Sequence, residues 1–194
     1  MRMGRPKQSL PWMGLPLLQY QVIESGRTSA NEVVVVLGND AEEHRLLLPG
    51  KLERARLVVI ENPDYALGKT TSVKAGMAAV DVSVDAVVPM AGDSPRSAGL
   101  LDQLVGAHFD GGKPITYPWY RGIEGHPGVF SMEMREELLG IDEATRGIRG
   151  VTERDPDRVN RVKFDDRMAI INLNTWEDYE SALRLTGQPV PQPL

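Results

Sequence analysis

Short apolar runs separated by polar stretches with helical spacing fill the first half of the chain. The runs are rich in valine and cover residues 33–37, 57–60 and 86–90. Continuous apolar runs of this length predict strands buried on both faces, as in a parallel sheet. Helical spacing is found over residues 17–25, 72–80 and 98–109. Alternating strands and helices predict an α/β fold, a doubly wound and mostly parallel sheet with helices on both faces.

The second half of the chain is less regular. Strands are predicted at residues 115–119, 128–130, 159–164 and 169–173, and helices at 131–139 and 175–185. Thr175, with Asp178 three positions later, can begin the last helix as a capping arrangement. No repeat or linker divides the chain, so we predict a single domain over residues 1–187. The proline-rich residues 188–194 are predicted to form an extended, loose tail.

Composition narrows the class of protein. The chain has 194 residues with 41% hydrophobic and 25% charged residues, which suits a globular domain. It has no cysteine, so disulfides and cysteine-bound metals are excluded. The net charge of -5 argues against a general nucleic-acid-binding protein. No apolar run is long enough to span a membrane, and the N-terminus lacks the apolar core of a signal peptide. A cytoplasmic protein is expected.

A basic segment begins the chain. Arg2, Arg5 and Lys7 flank Gly4 within six residues. Arginine offers paired hydrogen bonds and lysine a compact charge, so the segment can hold a polyphosphate. The alternative, a solvated basic surface, is equally compatible with the composition.

Asp93 follows the predicted strand that ends at residue 90. Ligands in open α/β sheets bind beyond the carboxyl ends of strands. A carboxylate in that position can hold Mg²⁺, which takes oxygen ligands and shares them with substrate phosphates. The alternative is that Asp93 and its neighbours form a turn that caps the next helix. The position after the strand favours the metal site.

Three other segments carry weaker signals. Glycines flank His126 in a segment that suits either close approach to a ligand or an ordinary hairpin. Asn172 and Asn174 share one face at a predicted strand end, where an amide oxygen can join a Mg²⁺ shell or simply form a helix-entry turn. The residues from Asn62 to Ser72, which include Gly68, form a polar loop opening a helix and suit an anion or a base edge.

Taken in order, these segments resemble the nucleotidyltransferases that complete the molybdenum cofactor, the cytidylyltransferase branch above all. The matching segments are Arg2-Met3-Gly4-Arg5-Pro6-Lys7, the pair Asn62-Pro63 with Gly68 and Ser72, Gly92-Asp93-Ser94-Pro95, Gly125-His126-Pro127 with Phe130, and Asn172-Leu173-Asn174-Thr175. The Gly-His-Pro segment is the one typical of the cytidylyltransferase branch. The resemblance covers nearly the whole chain.

The resemblance implies a Mg²⁺-dependent enzyme that transfers CMP or GMP from a nucleoside triphosphate to a phosphorylated acceptor such as molybdopterin. Asp93 and Asn174 would hold the metal, and Arg2 and Lys7 would stabilise charge on the phosphates. The remaining residues divide between nucleotide binding (Gly4, Arg5, Asn62, Gly68 and Ser72) and acceptor binding (Gly125, His126 and Pro127). A molybdoenzyme is the implied protein partner.

The sequence departs from this family in three places. The family's first strand and the Leu-Ala-Ala-Gly part of its loop are absent, so we expect the natural protein to begin upstream of Met1. Two closing aspartates of the family are Asn172 and Asn174 here. The family's Gly-Asp-x-Gly-x-Arg stretch reads Ile-Asp-Glu-Ala-Thr-Arg around Asp142. Two alternatives remain open: a pyrophosphorylase-like enzyme acting on another phosphorylated acceptor, and a non-catalytic molybdoenzyme chaperone with this fold.

Overall fold

A computed structural model describes residues 6–191 of the chain. The strands of this part are β1 (Pro11–Trp12), β2 (Leu15–Pro16), β3 (Glu32–Leu37), β4 (Arg56–Glu61), β5 (Ala86–Val87), β6 (Ile115–Tyr120), β7 (Ile123–Glu124), β8 (Val129–Ser131) and β9 (Val159–Lys163). The helices are α1 (Leu17–Arg27), α2 (Ala41–Leu46), α3 (Lys69–Ala79), α4 (Ala98–Gly111), α5 (Arg135–Leu139), α6 (Ile148–Arg154) and α7 (Trp176–Leu185).

The strands pair in both directions. β3 and β4 form a parallel pair in full register, from Glu32 opposite Arg56 to Leu37 opposite Glu61. The larger sheet has the order β5-β8-β6-β7, with β9 also paired to β6. In this sheet β9 runs parallel to β6, whereas β5, β7 and β8 make antiparallel pairs. The α/β fold is confirmed. The sheet was expected to be mostly parallel but is mixed, because β7 and β8 follow β6 in sequence and return antiparallel beside it.

Helices cover both faces of these sheets. In β8 the neighbouring residues Val129 and Phe130 point to opposite faces, so each joins a different core cluster. Phe130 packs with α3 and α5 side chains, and Val129 packs with Leu100 and Leu104 of α4. The last helix, α7, buries Tyr179 against Trp12 in a third cluster. The predicted arrangement of helices on both faces is therefore confirmed.

Two predicted strands differ from the structure. The strand expected over residues 86–90 pairs only at Ala86 and Val87, since Pro89 has no N–H to donate to a neighbour. The prediction of a strand over residues 169–173 was wrong. Its start is a 3-10 turn (Arg167–Ile170) that the Asp166 side chain caps by accepting from Met168 N.

The proline-rich tail makes contacts at its start. The Gln188 side chain accepts a hydrogen bond of 2.6 Å from Met13 N, and Val190 packs partly buried against the cluster under α7. An amide and an apolar side chain at the start of the tail therefore contact the rest of the domain, and the loose tail over residues 188–194 stays a prediction. In the part of the chain that the structure describes, no helix is long and apolar enough to cross a membrane.

Candidate active site

A cavity of about 370 Å³ lies where the segment after β5 meets two loops from the second half of the chain. Its lining combines two lysines, one carboxylate, a histidine and two asparagine side chains. These residues are Lys7, Lys69, Asp93, His126, Asn172 and Asn174, with Pro89, Met90, Ala91, Ser94, Arg96, Pro127 and Leu173 completing the wall. The cavity therefore gathers residues that are far apart in sequence at the carboxyl end of β5.

Lys7 connects the two predicted metal ligands. Its ammonium lies 3.3 Å from Asp93 Oδ2 and donates to Asn174 Oδ1 at 3.4 Å. The side chains of Lys7 and Asp93 are 25% and 30% exposed, so a ligand in the cavity can reach both. The carboxylate oxygen and the amide oxygen contact the same ammonium, so they converge on one place.

The Asn174 position is set by the start of α7. The Asp178 carboxylate accepts from the backbone N–H groups of Asn174 and Thr175, at 3.1 and 2.9 Å. Asp178 N in turn donates to Thr175 Oγ1, which completes the predicted capping box. The cap fixes the backbone beside Asn174, so this side chain stays on the cavity wall although no strand leads into it.

The His126 loop forms a second wall. Gly125 N donates to Pro118 O and His126 N donates to Ala169 O, which ties the loop to two neighbouring segments. A Cβ on Gly125 would collide with Ala169 O, so only glycine allows this approach. The His126 ring packs edge-on against Tyr117. Partial desolvation of the ring, assisted by the positive charge of Arg96, lowers the pKa of His126.

The polar loop before α3 is ordered by its own side chains. The Asn62 amide, which is buried, donates to Thr71 Oγ1 and Ser72 Oγ at 2.8 and 3.0 Å and accepts from Asp64 N. Gly68 has a φ of 131°, a conformation open to glycine alone. These residues do not line the cavity; Lys69, the next residue, does.

A carboxylate already occupies the N-terminus of α3. Glu143 Oε1 accepts from Thr70 N at 2.8 Å, and these backbone hydrogen bonds lower the pKa of Glu143. Asp142, next to it, accepts from Thr145 N and so organises its own turn. The segment that departs from the family's Gly-Asp-x-Gly-x-Arg thus contacts the start of α3, and Arg146 pairs with Glu153 outside the cavity.

The structure brings together much of the predicted site. Lys7, Asp93, Asn174, His126 and Pro127 line one cavity. The predicted nucleotide residues Asn62 and Gly68 lie in the adjoining loop and Ser72 lies in the first turn of α3, while Gly125 supports the His126 wall. The predictions for Arg2, Gly4 and Arg5 fall outside the described residues.

Lys69 lies inside the predicted loop that opens α3, although it was not singled out there as a site residue. Two other residues near the site, Arg96 and Glu143, were not predicted from the sequence. Arg96 lies directly beside the predicted Asp93 motif, and that adjacency was the available signal. Glu143 gave none, since its contact with Thr70 bridges 73 positions of sequence.

Asp93 and Asn174 suit a hard divalent cation. Both supply oxygen atoms, the ligands that Mg²⁺ prefers, and Mg²⁺ is commonly held by one or two carboxylates with substrate phosphates and waters. Within residues 6–191 no group of three or more histidine, cysteine or acidic side chains could hold a metal ion. A cation at Asp93 would therefore complete its coordination with nucleotide phosphates.

Comparisons with known proteins identify the family and the fold of the chain. Residues 1–159 match the family described as MobA-like NTP transferase domain. The molybdenum cofactor cytidylyltransferase of Escherichia coli (strain K12) is 25% identical over 182 residues, covering 93% of this chain and 88% of that protein. The nicotine blue oxidoreductase of Paenarthrobacter nicotinovorans is 26% identical over 184 residues, covering 91% and 87%. The solved structure of Rv0371C from Mycobacterium tuberculosis H37Rv in complex with manganese has a TM-score of 0.72 at 24% identity, with 94% of each chain covered.

Proposed function

Because the chain belongs to the MobA-like NTP transferase domain family and is a nucleotidyltransferase, we propose that it transfers CMP from CTP to the terminal phosphate of molybdopterin or a similar acceptor, with GTP as the other candidate donor. The observation that carries this proposal is the contact of Lys7 with both Asp93 and Asn174 inside the cavity. It gives a cation for phosphates and two oxygen ligands for a metal at one point.

The cytidylyltransferase assignment draws on two further facts. The Gly125-His126-Pro127 segment, which resembles that branch, lies at the cavity wall, where it can meet the acceptor. A relative that aligns over most of this chain is a molybdenum cofactor cytidylyltransferase. The proposed metal is Mg²⁺, and the manganese complex of a protein with the same fold supports a divalent cation.

In the proposed reaction an oxygen of the acceptor's terminal phosphate attacks the α-phosphorus of the nucleotide. The new P–O bond forms in line with the bond to the β-phosphate, which breaks and releases pyrophosphate. Lys7 would leave its ion pair with Asp93 and neutralise charge on the phosphates, since positioning and charge neutralisation provide most of the catalysis in such transfers. Asp93 and Asn174 would hold Mg²⁺, which would supply positive charge to offset the negative charge of the nucleotide phosphates.

The test is a matrix of nucleotides and acceptors. CTP and GTP are each incubated with molybdopterin, with a sugar 1-phosphate and without acceptor, in Mg²⁺ and in EDTA, and pyrophosphate release and product mass are measured. The proposal expects metal-dependent pyrophosphate release with CTP and molybdopterin, and a product heavier by one CMP. Transfer only to the sugar phosphate would indicate the pyrophosphorylase-like alternative. Nucleotide binding without transfer to any acceptor would contradict the enzymatic proposal and favour a chaperone.

A further inference from the structure

Arg96 is a buried cation in the wall of the cavity. The residue is 1% exposed and stands between Pro95 and the N-cap of α4, Ser97. Within residues 6–191 no carboxylate lies within 4.0 Å of its guanidinium, and Asp166 acts on its charge only from a greater distance. Burial lowers the pKa of Arg96 to about 10, so the side chain remains charged at neutral pH. Burying a charge without a carboxylate in direct contact is unfavourable unless hydrogen bonds compensate for the lost hydration.

The guanidinium donates to three backbone carbonyl groups on three separate segments. Nε donates to His126 O at 2.6 Å, Nη1 to Pro95 O at 2.8 Å and Nη2 to Ile171 O at 2.9 Å. Pro95 is two residues after Asp93, and Ile171 immediately precedes the Asn172–Asn174 segment. One planar group therefore contacts the segment of each predicted metal ligand and the acceptor-side loop.

The main chain of Arg96 is itself fixed from α1. Arg96 N donates to Gln21 Oε1 at 2.7 Å, and Gln21 Nε2 donates to Arg96 O at 3.4 Å. Gln21 is 3% exposed, so these contacts are shielded from water. Because the backbone N–H and C=O of Arg96 are both hydrogen-bonded to Gln21, the planar guanidinium starts from a fixed backbone position. Lysine has a single ammonium on a flexible chain and cannot reproduce three directed bonds in this geometry.

We propose that Arg96 is a positioning residue that sets the separation between Asp93, the Asn172–Asn174 segment and the His126 loop. Its consequence for catalysis rests on the proposed nucleotidyl transfer, but the structural claim does not. In this proposal Arg96 acts through the protein and not by contact with substrate, because each of its three guanidinium nitrogens donates to a protein carbonyl.

The structural claim is tested by amide hydrogen–deuterium exchange in Arg96→Ala, with Arg96→Lys as a second variant if the first folds poorly. Leu138→Ala is the control, since Leu138 is fully buried in the cluster beside α5 and does not line the cavity. In Arg96→Ala, the exchange rate is expected to rise at least tenfold in all three segments, which are residues 91–95, 124–127 and 169–174. Millimolar guanidinium is expected to restore part of the lost protection, whereas NaCl at the same concentration is not. The control is expected to loosen α5 instead. An increase in only one segment, or the same pattern in Leu138→Ala, would overturn the proposal.

The catalytic consequence is tested by steady-state kinetics per folded molecule. A displacement of about 1 Å can lower turnover about a hundredfold. We therefore expect kcat of Arg96→Ala to fall by that order while KM for the nucleotide changes less than threefold, and guanidinium to recover part of kcat. Equal kcat in Arg96→Ala and Leu138→Ala would reduce Arg96 to a structural role. If the wild-type protein shows no transfer with any acceptor, the proposed function fails and the exchange measurement decides on Arg96 alone.

Discussion

Replacing Lys7 with alanine should weaken nucleotide binding strongly and change folding stability little. In the structure Lys7 contacts Asp93 and Asn174 with a side chain that is 25% exposed. A partly exposed ion pair contributes about 0–1 kcal/mol to stability. A charge-assisted hydrogen bond to a phosphate contributes about 1.5–3 kcal/mol, which corresponds to a loss of affinity of about 10- to 150-fold. Lys7→Ala is therefore expected to lower nucleotide affinity clearly while changing the free energy of unfolding by no more than about 1 kcal/mol.

The assay is calorimetric titration of CTP and of GTP at saturating Mg²⁺, together with thermal unfolding. Lys163→Ala is the matched control, because it removes the same charge at a side chain that is 83% exposed and does not line the cavity. We expect the control to bind nucleotide like the wild type. Unchanged affinity of Lys7→Ala for both nucleotides would refute the reasoning and place the phosphate site elsewhere. An equal loss in Lys163→Ala would show a nonspecific effect of net charge.

Three further outcomes are expected. Gly68→Ala should lose about 1–3 kcal/mol of stability and weaken nucleotide binding, because its φ of 131° suits glycine alone and a Cβ would meet Glu143; Gly99→Ala, with open space around it, should be tolerated. Burial lowers the pKa of His108 in the folded protein below the ordinary value of 6.5. As the pH falls, the unfolded state therefore takes up the proton before the folded state does. Folding stability should consequently decline from about pH 6.5 down to the folded pKa of His108. Thermal melts should show that decline, and it should be smaller in His108→Gln. His126→Ala should raise KM for the acceptor while leaving Mg²⁺ affinity unchanged; a parallel loss of metal binding would contradict its placement at the acceptor side.

The sequence was most informative where a pattern is local. The valine-rich runs predicted β3 and β4 to within one residue, because strands buried on both faces are continuously apolar. Thr175 and Asp178 predicted the start of α7, because a capping box is complete within four residues. Asp93 could be placed at the cavity because it follows an apolar run that ends at the sheet edge.

The errors arose where distant segments decide the local structure. Residues 169–173 have the composition of a strand, but Ala169 O accepts from His126 N and Ile171 O accepts from Arg96. These carbonyls are therefore hydrogen-bonded to residues of the cavity wall and not to a neighbouring strand. The apolar pattern of five residues cannot indicate such distant partners. Arg96 lies beside the Asp93 motif in sequence, but its hydrogen-bond partners could not be predicted, since they lie as far as 75 positions away.

In the proposed function, Asp93 forms the metal-dependent transfer site together with Asn174 and Lys7. The most direct measurement is pyrophosphate release from CTP and molybdopterin as a function of Mg²⁺, in the wild type and in Asp93→Asn. Asp102→Asn is the control, because the Asp102 carboxylate binds Ser29 on the protein surface, away from the cavity. We predict that Asp93→Asn loses metal-dependent transfer while its Tm stays within a few degrees of the wild type, and that Asp102→Asn keeps full activity. Wild-type turnover per folded molecule in Asp93→Asn would contradict the account.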